Sequence, residues 1–173
     1  MAAKETDAYT TRPTSFIEQD GTWLSAALDI ARKYGVVTEA VLPFETPPGA
    51  TALYTAGDEN IFYATASQRK IGSYFNLGPN LKNWRSWIAN QGPILTRLDV
   101  DATWDNATAT QGNLDVYQPK TAHGGHAVAL VGYTPDRFIV RNSCGTGLGY
   151  QGYAYASLAY AQAAFKEAYV VVI

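Results

Sequence analysis

Two residues frame the chemistry open to this chain, His126 and Asn142, sixteen positions apart. They bracket two apolar runs, 127–133 and 138–141, separated by Thr134-Pro135-Asp136. Val, Ile, Leu, Phe and Tyr fill the runs and a Pro-Asp pair punctuates them, which predicts two strands joined by a short turn. In an antiparallel hairpin the start of one strand lies beside the end of the next. His126, opening the first strand, and Asn142, closing the second, are therefore expected at the same end of a sheet. An imidazole held by an amide oxygen is the base and orienter of a nucleophilic enzyme. The nucleophile is what the rest of the chain must supply.

The chain has one thiol, Cys144, two positions past Asn142. A nucleophilic cysteine needs a neighbouring base, an imidazolium or a helix N-terminus to lower its pKa. Cys144 meets only part of that, and the plainer expectation is a small, partly buried residue. His123 and His126 form a His-x-x-His pair, but no Cys or acidic pair completes a ligand set. No metal and no cofactor are expected, and His123 reads as a loop histidine at a rim. Asn106-Ala107-Thr108 fits a glycosylation pattern and is read as chance, since no secretory leader accompanies it.

Several elements must position this pair. Trp23, Ala26, Ala27, Ile30, Ala31 and Tyr34 recur at helical spacing, with Asp20 or Thr22 as the expected cap and Gly35 as the stop. Residues 45–60 are rich in Pro, Gly, Thr and Ala and predict a surface loop; short strands are expected at 61–63 and 70–75. Asn80 caps a predicted helix over 81–90, with Leu81, Trp84, Trp87 and Ile88 on one face and Gly92-Pro93 at its end. Ile94, Thr96, Leu98 and Val100 alternate with Leu95, Arg97 and Asp99, as in a half-buried strand. An irregular insertion with Trp104 and Tyr117 is expected over 101–121. After the hairpin come a glycine-studded turn, a strand at 153–156, a short helix within 157–165 and a buried strand at 169–173. Helices first and strands later predict an α+β fold.

Composition bounds the function. The chain has 173 residues, 47% hydrophobic and 16% charged, enough to fill a core. A net charge of -2 gives no basic surface for nucleic acid, so no nucleic-acid partner is expected. The longest apolar runs, 127–131 and 169–173, are too short to span a bilayer, so no membrane partner is expected. The polar, acid-bearing start is not expected to be a signal peptide. One cysteine excludes an internal disulfide framework. Localisation stays open: the cytoplasm, or release by another route.

Against this background the motifs His126-Ala127-Val128-x-x-Val131-Gly132-Tyr133 and Ile139-Val140-Arg141-Asn142-Ser143-x-Gly145-Thr146 closely resemble the papain-like cysteine peptidases of bacterial or viral type. Gly149-x-x-Gly152-Tyr153 resembles the glycine turn and strand of the same family. Gly21-Thr22-Trp23-x-x-Ala26-Ala27-Leu28 looks like its left-lobe helix, and Ile88-Ala89-Asn90-Gln91-Gly92-Pro93-Ile94 like the entry to its right-lobe barrel. The resemblance implies a two-lobe fold: a right-lobe antiparallel β-barrel or sheet and part of a helical left lobe. It places a leader at 1–15 and the peptidase domain at 16–173, with the left lobe over about 16–60 and the right lobe over about 61–173.

The resemblance also implies roles. His126 would be the base and Asn142 its orienter. Gly21, Thr22, Trp23 and Gly125 would line the cleft that holds an extended peptide or protein substrate. Two departures stand beside these roles. The family's nucleophilic cysteine sits on a long helix, preceded by a glutamine, and no Gln-x-x-x-x-x-Cys motif occurs here. The family's usual tryptophan after Asn-Ser is replaced by Cys144. Three readings follow. The thiol lies on a missing N-terminal segment or a partner chain; the domain is a pseudopeptidase that binds peptides or proteins; or Cys144 itself is the nucleophile.

Overall fold

A computed structural model describes residues 22–38, 40–41, 59–143 and 145–173. The chain forms two compact units, 1–74 with 171–173 and 75–170. Gly21, Asp20, Cys144, the leader and most of the 45–60 loop lie outside the described residues.

In the first unit, helix α1 spans Leu24–Lys33. Its buried stripe is Leu24, Leu28 and Ala31. That differs from the expected face, which shared only Ala31: the two leucines bury more apolar surface than the alanines beside them, and Trp23 stays 47% exposed. The N-cap is Trp23, with no side-chain cap, rather than Asp20 or Thr22. Gly35 ends the helix as expected, with φ +94. A Cβ there would collide with the carbonyl oxygen of Ala66. Only glycine allows both the left-handed turn and that close approach.

Ala66 belongs to α2, Glu59–Ser67. The expected strand at 61–63 is therefore part of a helix. Three β-prone residues are outweighed by the helix-forming Ala64 and Ala66 that follow, and Ala66 is buried. The amide N–H of Val36 donates to the carbonyl of Arg69, and that of Ile71 to Ala31.

Among the described residues, seven strands form one sheet. They are β1 Ser73–Asn76, β2 Ile94–Val100, β3 Asn113–Leu114, β4 Gly124–Tyr133, β5 Arg137–Arg141, β6 Tyr153–Ser157 and β7 Phe165–Val172, in the order β1-β7-β2-β4-β5-β6-β3. The pairings β2–β4, β2–β7, β4–β5 and β5–β6 are antiparallel, and the two-residue β3 joins β6 in parallel. The expected strand at 70–75 is the shorter β1. The last strand starts earlier than expected, and its end is not buried, since Ile173 is fully exposed.

Helix α3, Leu81–Asn90, begins where Asn80 accepts a hydrogen bond from the amide of Lys82. It buries Trp84 against Phe138 and Phe165, with ring centroids 5.9 and 6.3 Å away. Arg85 projects from it and donates to the carbonyls of Thr134 and Pro135, pinning the hairpin turn. Within 101–121, expected as irregular, lie helix α4 (Ala102–Asp105), β3 and a 3-10 turn at Pro119–Thr121. Helix α5, Leu158–Ala164, is capped by Ser157, which accepts from the amide of Tyr160. Ile94, Leu98, Val128, Leu130, Phe138, Val140 and Tyr160 fill the core of this unit. Among the described residues no helix is long and apolar enough to cross a membrane.

Candidate active site

The hairpin forms as the sequence predicts. β4 and β5 pair antiparallel, with Ala129 opposite Arg141 and Leu130 opposite Val140. His126 follows the period-2 alternation of Val128 and Leu130, so its ring is on the core face of β4 at the end of the row. On β5, Phe138 and Val140 face the core, and Asn142 continues that face one residue beyond the strand. The backbone N–H of Asn142 donates to the carbonyl of Gly152, tying the strand end to the glycine turn. In that turn Gly149 has φ +63, and a Cβ there would strike the carbonyl oxygen of Tyr153.

His126 Nε2 lies 2.7 Å from Asn142 Oδ1. An amide oxygen only accepts, so Nε2 carries the ring proton in this arrangement and Nδ1 keeps its lone pair. Nδ1 is thus the basic atom. Asn142 is 8% exposed, and its Nδ2 has no hydrogen-bond partner among the described residues.

The sequence reading missed three further residues. Trp104, on α4, is buried, and its ring stands 5.4 Å from the His126 ring at 60°. It covers the imidazole from the side of the insertion expected to be irregular. Asp101 is fully buried and caps α4, accepting from the amide of Trp104 at 3.1 Å. Tyr160, also fully buried, donates to Asp101 Oδ1 at 2.7 Å. Burial, then the Asp101 hydrogen bond and charge, push the Tyr160 phenol far above its ordinary range. The signal available for these contacts was Asp101-x-x-Trp104, an Asp three residues before a side chain it can cap.

A pocket of about 340 Å³ opens beside the ring, lined by Trp104, Asp105, His123, Gly125, His126 and Asn142 among others. His123 is at its rim, paired with Asp105 at 3.0 Å, both about half exposed. No cluster of metal-ligating side chains occurs among the described residues. Gly125 sits under Arg97, whose guanidinium a Cβ at that position would strike. Arg97 itself pairs with Asp99 at 3.0 Å. His126, Asn142 and Gly125 are therefore gathered within the second unit. Thr22 and Trp23 belong to the first unit, where both are exposed ahead of α1.

The sequence matches the family described as papain family cysteine protease over residues 13–172. The chain belongs to the papain family. Solved papain-family structures share its fold. Xylellain, a cysteine protease from Xylella fastidiosa, superposes with a TM-score of 0.74 at 23% identity, covering 92% of this chain and 65% of that one. Bromelain from Ananas comosus, solved in complex with the E64 inhibitor, gives 0.61 at 20% identity, covering 88% and 70%. Digestive procathepsin L 3 from Tenebrio molitor gives 0.59 at 17% identity, covering 89% and 49%. The chain thus spans less than two thirds of the xylellain chain and about half of the procathepsin. A search of curated protein sequences gave no match.

Proposed function

We propose that this papain-family domain hydrolyses peptide bonds by a thioester route, with His126 as proton carrier and Asn142 as its orienter. The observation that carries this reading is the 2.7 Å contact from Nε2 to the asparagine oxygen, which leaves Nδ1 as the base. Nδ1 would take the thiol proton as sulfur attacks the peptide carbonyl. It would return that proton to the leaving amine, giving a thioester and a free amine. It would then take a proton from water, and hydroxide addition would release the acid and regenerate the thiol.

We assign the thiol to a segment outside these 173 residues, on the same polypeptide or on a partner chain. Cys144 is their one cysteine, two positions past Asn142 in the sequence. The substrate is an extended peptide, for which Gly125 would supply backbone contacts on the second unit.

The test is hydrolysis of a fluorogenic peptide by this domain joined to whatever coding sequence precedes it in frame. Hydrolysis should fall by about 10²–10⁴-fold in His126→Ala. Peptide binding with no turnover, and no cysteine encoded upstream, would favour the alternative of a pseudopeptidase that binds peptides. The 173-residue chain alone should form no adduct at Cys144 with an epoxide thiol inhibitor; an adduct seen by mass spectrometry would revive Cys144 as the nucleophile.

A further inference from the structure

We infer that Asp101 is a positioning residue for His126, acting through the α4 cap and the Trp104 ring; this deepens the proposed function and rests on His126 being its base. His126 is half-buried, at the end of the buried row of β4, so one side of its ring depends on groups beyond the strand. Asn142 fixes one edge of it. The group across the ring is Trp104, whose side chain is buried in the core. It sits on a four-residue helix, Ala102–Asp105, too short to be stable without outside help.

Asp101 supplies that help from the protein interior. Its Oδ1 accepts the Trp104 amide at 3.1 Å and the Tyr160 hydroxyl at 2.7 Å, and its Oδ2 accepts the Gln118 amide at 2.6 Å. One carboxylate thus ties the start of α4, helix α5 and the segment before the 3-10 turn to a single point. A buried carboxylate is costly unless fully hydrogen-bonded, and this one has three donors. It directly follows β2, whose Leu98 is in register with His126. The ring is therefore bounded by groups that Asp101 and its own hairpin set together.

The test reads the imidazole itself, in ¹⁵N-labelled protein, by the Nε2–H signal of His126 and the cross-peaks between the Trp104 and His126 rings. Asp101→Ala removes the cap, and Asp101→Leu removes it while keeping the volume filled. Both should broaden the Nε2–H signal and weaken the ring cross-peaks at least several-fold. Asp101→Asn keeps an oxygen for the Trp104 amide and the Tyr160 hydroxyl while its NH2 faces the Gln118 amide, so it should lose less of both signals than Asp101→Leu. The inference is overturned if folded Asp101→Leu retains the wild-type signals, or if Asp101→Asn loses them as fully as Asp101→Leu does. A wild-type chain with the ring held as described but no peptide hydrolysis in the larger protein counts against the proposed function and leaves the role of Asp101 standing.

Discussion

Asn142 is an expensive residue for the fold to hold. It is buried, its oxygen is committed to a half-buried imidazole, and its Nδ2 has no partner among the described residues. Removing it loses one hydrogen bond but also removes an unsatisfied buried donor, and the two effects oppose each other. We expect Asn142→Ala to change unfolding stability in urea by no more than about 1.5 kcal/mol. Peptide hydrolysis by the larger protein should drop far more than that energy implies. A large stability loss with unchanged hydrolysis would mark Asn142 as structural. Tyr160 shows the opposite balance. Its phenol is raised above the unfolded value of about 10 by burial first and by Asp101 second. A raised folded pKa stabilises fully below the unfolded pKa and is lost as pH climbs beyond it. Alkaline stability should therefore fall above about pH 10, and less steeply in Tyr160→Phe. Tyr117 is also raised, chiefly by burial, and leaves part of that slope in the variant.

At the scale of elements, what the sequence reveals depends on whether its signals are local. The hairpin, β2 and α3 were legible because alternation, an Asn cap and a Pro-Asp turn all act within a few residues. The His126–Asn142 contact was legible for the same reason, since hairpin pairing brings its two halves together. Trp104 over His126 was not legible, because it depends on a buried Asp101 held partly by Tyr160, 59 positions away. Helix α2 was hidden as well: Ile61-Phe62-Tyr63 is strand-like alone, and only the approach of Ala66 to Gly35 shows where its helix packs. That approach carries its own prediction. Gly35→Ala faces both the left-handed backbone and the Ala66 carbonyl, and should destabilise the protein by about 1–3 kcal/mol or more by thermal or urea unfolding. An unchanged midpoint would mean that α1 and α2 do not meet as described.

Taken whole, the second unit holds the His126–Asn142 pair proposed as base and orienter, and these 173 residues contain one cysteine. Family membership rests on the match over residues 13–172, while the proposed activity rests on the state of one ring. The central claim is that the fold delivers an imidazole tied at Nε2 and free at Nδ1. The direct measurement is a long-range ¹H–¹⁵N correlation spectrum of the His126 ring in the intact chain at a pH where the ring is neutral. It should show the proton on Nε2 and an unprotonated Nδ1, and this pattern should be lost in Asn142→Ala. A proton on Nδ1 in the wild-type chain would contradict the account, because the atom that must accept the thiol proton would already be occupied.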